Sequence, residues 1–396
     1  MPGDVTRVVV VGAGVIGSSV ALALAGRGVS VTLVERGRAS PEAPGDTGAA
    51  SWAAAGILGA QIATRSDGPF FRLCLASRDR FADWARSVES RSGKDVELRP
   101  SGVTKVAFDP GAVQALEDEV AWQEAAGVRV ERLDAAAVRQ TEPALGPEVE
   151  GGVRFPDDAR VDPVKLLGAV RLAAQAAGAS FRTGAGAKRV LEHDGAAIGV
   201  ELADGTLLTS DAVVLAAGSW SPLVEQSSLS AESVFPARGQ MVELKLPAQI
   251  LQGVVEGPEG YLSPRNDGRV LVGATIEAAG FEAVTTAGAI ERLLGAARRL
   301  VPSLDGARLV RTWAGLRPRT ADDLPLLGQT TLPRLFAATG HFRNGVLLAP
   351  ITAEILAAQV LGEAPPVDVT AFDPTRPAPE RTPTPSRASL APPRSG

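Results

Sequence analysis

The sequence holds one cysteine, Cys74, and two histidines, His193 and His341, so it can form no internal disulfide and offers no His/Cys ligand set for zinc or iron. Only five of its 40 basic residues are lysine, and no Lys/Arg cluster marks a nucleic-acid or lipid footprint; with a net charge of −5, acidic polymers are not expected partners. No apolar run reaches the about 20 residues of a membrane span. The chain enters its first expected strand, Val8 to Val11, without a signal-peptide core, so cytoplasmic residence is expected.

What remains is a soluble α/β composition: 45% hydrophobic, 21% charged, 43 glycines. A length of 396 residues predicts two domains, or one with an inserted lobe. Arg7 to Glu35 reads as strand, glycine turn, helix and strand, with Gly12, Gly14 and Gly17 in GxGxxG spacing and Glu35 closing the second strand. Glycines there let the backbone turn tightly, approach a pyrophosphate and pack helix on strand. The helix N-terminus then faces phosphates, and Glu35 can accept hydrogen bonds from a ribose.

Apolar residues three or four apart predict an amphipathic helix over Pro69 to Ser92, with Cys74 on its buried stripe. His193, in EHDG, reads as a solvated turn residue. LTSDAVVLAAGSWSP, Leu208 to Pro222, resembles the return strand of flavoproteins with two dinucleotide-type domains. Gln240 to Leu246 and Gly268 to Ile276 alternate and predict an antiparallel sheet in a separate lobe. Pro350 is tolerated only in a first helical turn, so the helix carrying Ala353 to Val360 should begin near Gly345 to Ala349. Pro374 to Gly396, with seven prolines and four arginines, reads as a disordered tail.

From Arg7 to about Phe372 the chain carries, in order, VVVVGAGVIG, ASWAAAGILGAQ, FPARGQM, GPEGYLSPRNDGRVLVGATIEAAGF, WAGLRPRTADDLPLLG and TGHFRNG. Together these resemble the thiamine-pathway glycine oxidases of the D-amino-acid oxidase-like FAD-dependent oxidoreductases. The resemblance implies an α/β fold: a Rossmann-like FAD-binding domain with a discontinuous α+β substrate domain on an antiparallel sheet. The expected FAD-binding part is 1–90, 150–225 and 313–372, and the substrate part is 91–149 and 226–312.

The resemblance further implies noncovalent FAD and oxidative deamination of glycine, with sarcosine and small D-amino acids as close alternatives. A 2-oxo acid, ammonia and, through dioxygen, hydrogen peroxide would be the products, and a homotetramer a common assembly. A non-catalytic flavin-binding assembly protein is the rival of another class. Cofactor contacts are implied at Gly12, Gly14, Val15, Ile16, Gly17, Glu35 and Arg36, and at Ala50, Ser51, Ala55, Gly56 and Ile57. Ala187 and Gly218 follow, then the run His341, Phe342, Arg343, Asn344, Gly345, Val346 and Leu347. Substrate contacts are implied at Arg317, the carboxylate clamp, and at Tyr261 and Arg343. No general acid or base is expected. Arg319 and Arg265 rank below Arg317 as clamps, Arg265 being expected to hold its neighbouring turn. Trp52 stands where a small residue is expected, and GPEG replaces a histidine-containing turn before Tyr261; either would reshape the pocket.

Overall fold

The computed structural model describes residues 5–37 and 48–377. Its first sheet has six strands. Arg7–Val11 lies at the centre, parallel to Ser30–Glu35 on one side and Ala212–Leu215 on the other. Ser180–Thr183 and Leu335–Thr339 extend it in parallel, and Leu326–Gln329 closes one edge antiparallel. The valine run is unbroken because both faces are covered: Val8 and Val10 meet the helices, Val9 and Val11 meet a three-stranded antiparallel sheet. The helices are Val15–Ala25, Pro69–Ser92, Pro163–Ala176 and Ala349–Val360, packed on one another and on that face.

Two of these helices show their sequence logic plainly. Pro69–Ser92 has the bounds its spacing predicts: proline opens it, and Gly93, at φ 68°, closes it with its N–H on the Glu89 carbonyl. Cys74 is fully buried there, and burial pushes its thiol pKa up. Ala349–Val360 starts with Pro350 in its first turn, as the missing N–H requires. No helix among the described residues is long and apolar enough to cross a membrane.

The second sheet has eight strands in the order Arg308–Arg319, Phe235–Lys245, Arg269–Gly273, Gly260–Pro264, Val254–Gly257, Val103–Ala107, Gly151–Phe155, Glu131–Asp134. All neighbours are antiparallel except Val254–Gly257 beside Val103–Ala107. The helix Ala287–Leu300 packs on its outer core. Two expected boundaries need correcting. Gly151–Phe155, placed with the nucleotide segment 150–225, pairs with Val103–Ala107 and Glu131–Asp134 in this second sheet. Arg308–Arg319 crosses position 313 without a break, because it pairs along its length with Phe235–Lys245.

The first residues of the expected tail, 374–377, are part of the fold. Arg376 bonds both carboxylate oxygens of Asp322 and the carbonyls of Leu324 and Pro325, tying the stretch from Pro374 to the fold. Residues 378–396, the rest of the expected tail, lie outside the described residues. His193 ends a strand and is exposed, as its turn signal suggested.

Candidate active site

Gly12 adopts φ 105°, and its N–H bonds the Val34 carbonyl at 2.8 Å; a Cβ there would sit 2.5 Å from the Ala216 oxygen. At Gly17 a Cβ would lie 1.9 Å from the Gly12 oxygen. The turn is therefore pinned between the helix behind it and the return strand beside it. Gly14 caps the helix without a side-chain bond, leaving first-turn N–H groups facing the cavity. One of them, at Val15, is taken by the Ser51 hydroxyl at 3.0 Å, which ties the short helix Ala50–Ala53 to the glycine turn.

The Ala13 peptide is held from both sides. Its N–H donates to Glu35 Oε2 at 2.9 Å, and its carbonyl accepts Nε and Nη2 of Arg171 at 2.9 and 2.6 Å. Arg171 escaped the sequence reading, although an arginine within the apolar run LLGAVRLAA of a buried helix was the available signal. Arg36 stacks on Trp220, its guanidinium carbon 3.8 Å from the ring centroid.

From this turn a cavity of about 450 Å³ runs between the two sheets. Gly12, Gly14, Val15, Ile16, Glu35, Arg36, Ala187 and Gly218 line its nucleotide end, and Ala50, Ser51, Ala55, Gly56 and Ile57 its middle. The run from His341 to Val346 lines it too. Gly17 and Leu347 do not. Gly17 is packed beneath the turn, and Leu347 is fully buried in the core with its carbonyl accepting Ser77 Oγ at 2.6 Å. His341 bonds Thr352 through Nε2 at 3.0 Å, and burial pulls its pKa down to about 3, so the ring is neutral. Phe342 sits at φ 47° with its N–H on the Pro318 carbonyl at 2.7 Å, turning Arg343 outward at the cavity rim.

At the far end the residues expected to contact substrate converge. Period two along Arg308–Arg319 puts Trp313, Gly315 and Arg317 on one face of the sheet. Arg317 Nη1 donates to the Thr275 carbonyl at 2.9 Å, and its guanidinium lies beside Tyr261 in the cavity lining. The Tyr261 hydroxyl donates to Met241 Sδ at 3.3 Å. Burial lowers the Arg317 pKa, an effect Tyr261 opposes, and raises that of Tyr261, which stays a phenol.

Two glycines make this possible. A Cβ on Gly239 would lie 2.1 Å from Arg317 Nη1, and one on Gly273 would lie 2.5 Å from the Tyr261 ring and hydroxyl. Both side chains lie flat across strands that have none. Gly239→Ala should therefore displace the guanidinium while leaving FAD content near wild type. The expected loss is about a hundredfold in kcat/KM, the cost of a misplaced substrate anchor; steady-state kinetics beside an absorbance scan checks it.

The competing arginines have other tasks. Arg319 pairs with Asp323 at 2.6 Å. Arg265 serves its own turn as expected, donating Nη1 to Ser263 Oγ and to the Pro264 carbonyl at 3.0 Å, and it also reaches the cavity wall: fully buried, it donates Nη2 to the Ala55 carbonyl at 2.7 Å, joined there by Ser263 Oγ at 3.2 Å, and stands 3.6 Å from Asp162. Trp313 Nε1 holds the Ala53 carbonyl at 3.2 Å. The second sheet thus grips the loop 53–55 at two carbonyls. Trp52 packs beside Arg311, outside the cavity lining, and does not narrow it.

Asp158 supports the same wall. Fully buried, it accepts the N–H groups of Gln61 and Ile62 at 3.2 Å, with Arg78 3.8 Å away. Burial raises its pKa to about 7, against those bonds. A carboxyl whose folded pKa is raised contributes stability fully below the ordinary carboxylate pKa and loses it as pH rises through about 7. Asp158→Asn should accordingly gain thermal stability relative to wild type between about pH 5 and about pH 8; melting curves at both values check this.

The residues fit an extended dinucleotide: a cradle closed to any Cβ at Gly12, a helix N-terminus whose N-cap residue, Gly14, has no side chain to occupy it, an acid at the end of the second strand, and a cavity continuing to the second sheet. A course of this kind joins a nucleotide-binding sheet to a substrate-facing one, which places the chain among two-sheet oxidoreductases. The family model "DAO: FAD dependent oxidoreductase" matches residues 7–359, and the chain belongs to that family, whose cofactor is FAD. It is 36% identical over 376 residues to a "Bifunctional protein ThiO/ThiG" of Synechocystis sp., covering 93% of this chain and 54% of that protein. To the glycine oxidase of Geobacillus kaustophilus it is 33% identical over 372 residues, covering 93% and 96%. The crystal structure of glycine oxidase from Geobacillus kaustophilus superposes with a TM-score of 0.87 at 31% identity, covering 94% and 98%. The chain spans about half the length of the bifunctional relatives it matches.

Proposed function

We propose that the protein is an amine oxidase that converts glycine, and to a lesser degree small D-amino acids, with water and dioxygen to the 2-oxo acid, ammonia and hydrogen peroxide; sarcosine, a lesser substrate too, would release methylamine in place of ammonia. The observation that carries this reading is the Arg317 guanidinium laid across Gly239, bonded to the Thr275 carbonyl and lining the cavity beside Tyr261. A guanidinium offers two parallel donors to a carboxylate, and desolvation makes it hold an anion more tightly than it would in water. A scaffold protein has no use for such a group. Bound FAD supplies the two-electron acceptor; Cys74, buried in the core away from the cavity lining, offers it no thiol attachment point.

The chain's own part is placement. Arg317 fixes the carboxylate, Tyr261 adds its O–H when that turns from Met241 Sδ to the carboxylate, and the grip on Ala53 and Ala55 fixes the adjoining wall. Arg343 stands at the rim, where it adds positive potential for an incoming anion. His341 is neutral and bound to Thr352, so it serves the frame rather than proton transfer. Supply of the oxidised product to thiamine thiazole assembly is the biological role we infer, supported by the likeness to ThiO/ThiG proteins. Steady-state assays with glycine, sarcosine and D-alanine, with oxygen and then an artificial acceptor, test the reading. Glycine should give the highest kcat/KM; a holoenzyme that turns over none of the three would sink it.

A further inference from the structure

The two ends of the cavity are held by different parts of the chain. The glycine turn takes its bonds from the first sheet at Val34 and Glu35, from Arg171 of the helix Pro163–Ala176, and from Ser51 of the short helix Ala50–Ala53. The middle wall is held from the second sheet. Tyr261, Ser263 and Arg265 fall at period two, so one face of that stretch meets the cavity and its wall. Tyr261 lines the cavity, while Ser263 and Arg265, both fully buried, converge on the carbonyl of Ala55. Directly after Ala55 the chain returns to the nucleotide part: Val161 donates its N–H to the Gly56 carbonyl at 2.8 Å, and Ile57 pairs with Arg160. Asp162, 3.6 Å from Arg265 Nε, caps the helix Pro163–Ala176 by accepting the N–H groups of Val164 and Lys165 at 3.0 and 3.1 Å. Burial pulls the Arg265 pKa down to about 10, against the pull of Asp162, so the guanidinium stays charged at neutral pH.

We propose that Arg265 is a positioning residue for the flavin end of the cofactor: by holding the Ala55 carbonyl against the second sheet it keeps the middle wall in the shape FAD requires, and the nucleotide end does not depend on it. One guanidinium serves Ala55, Ser263 and Pro264 together and faces Asp162, a fork that neither a lysine nor a neutral side chain reproduces. ADP carries only the part of the cofactor that the glycine turn meets, whereas FAD continues past Ala55. Arg265 therefore sets the affinity for FAD and leaves that for ADP alone. The inference goes beyond the amine-oxidase reading and rests only on the cofactor of the family.

The test takes the full chain, stripped of FAD, and titrates it separately with FAD and with ADP, as wild type, Arg265→Met, Arg265→Lys and Ser263→Ala. Arg265→Met should weaken FAD binding about tenfold or more, the scale of a lost buried hydrogen bond from a charged donor, with ADP binding within about threefold of wild type. Arg265→Lys should recover part of the loss. Ser263→Ala removes only the neutral donor to the same carbonyl and should weaken FAD binding about threefold, again sparing ADP. Should Arg265→Met fail to fold, the other two variants decide by the same comparison. A ratio of FAD to ADP affinity equal to that of wild type in the folded variants would overturn the proposal, whether both affinities fall, as a merely structural role demands, or neither does. A wild type that binds FAD yet oxidises no amine sinks the oxidase reading and leaves this ratio to decide the role of Arg265.

Discussion

Arg317→Ala should lower kcat/KM for amino acids by roughly a hundredfold to a thousandfold or more, mostly through KM, with the flavin spectrum intact. Removing one partner of a buried, hydrogen-bonded charge pair costs about 2–5 kcal/mol, and each 1.4 kcal/mol is about tenfold. The loss is confined to substrate because Arg317 touches Thr275 and Tyr261, at the opposite end of the cavity from the glycine turn. Arg317→Lys should recover only part of it: an ammonium is a point charge and cannot present the two parallel donors of a guanidinium. Kinetic constants unchanged in Arg317→Ala would remove the clamp from the account.

Gly17→Ala should have the largest effect on the cofactor. The added methyl would stand 1.9 Å from the Gly12 oxygen, a backbone atom that is itself locked, since Gly12 is held by Val34 and crowded by Ala216. Relief requires the helix Val15–Ala25 to retreat from the turn, and with it go the N–H groups that would meet the phosphates. The variant should purify with little or no FAD, or without a stable fold. Gly295→Ala is the control: nothing lies within 4 Å of that Cβ, and it sits inside the helix Ala287–Leu300. It should keep full flavin and gain about 0.5–1 kcal/mol of stability. Flavin-to-protein ratios and melting curves with added FAD separate the two; a Gly17→Ala protein with a full flavin complement contradicts the packing argument.

Legibility in the sequence followed the range of the physics. Short-range patterns were readable: the valine run buried on both faces, the three-and-four spacing of Pro69–Ser92, the proline that dates the start of Ala349–Val360. The place of Arg317 in the cavity lining was readable as well, because WAGLRPRT is a specific stretch of wording and Pro318 favours an extended backbone at Arg317.

What escaped depends on which strands lie side by side. Nothing in FPARGQM says that Gly239 is the gap under Arg317; that follows from the pairing of Gly239 with Gly315. Arg265 grips Ala55 across 210 residues of chain. Gly151–Phe155 went to the wrong side for the same reason, since a five-residue strand carries no mark of its sheet. The Ala13 carbonyl selected Arg171 through the packing of two helices, a contact no local rule encodes.

The most direct test of the central claim is anaerobic addition of glycine to the purified holoenzyme, followed in the long-wavelength flavin band. The account predicts that the wild type bleaches and that Arg317→Ala, carrying the same flavin, stays oxidised at the same glycine concentration. A wild-type protein with full flavin that remains oxidised under saturating glycine, sarcosine and D-alanine would contradict it.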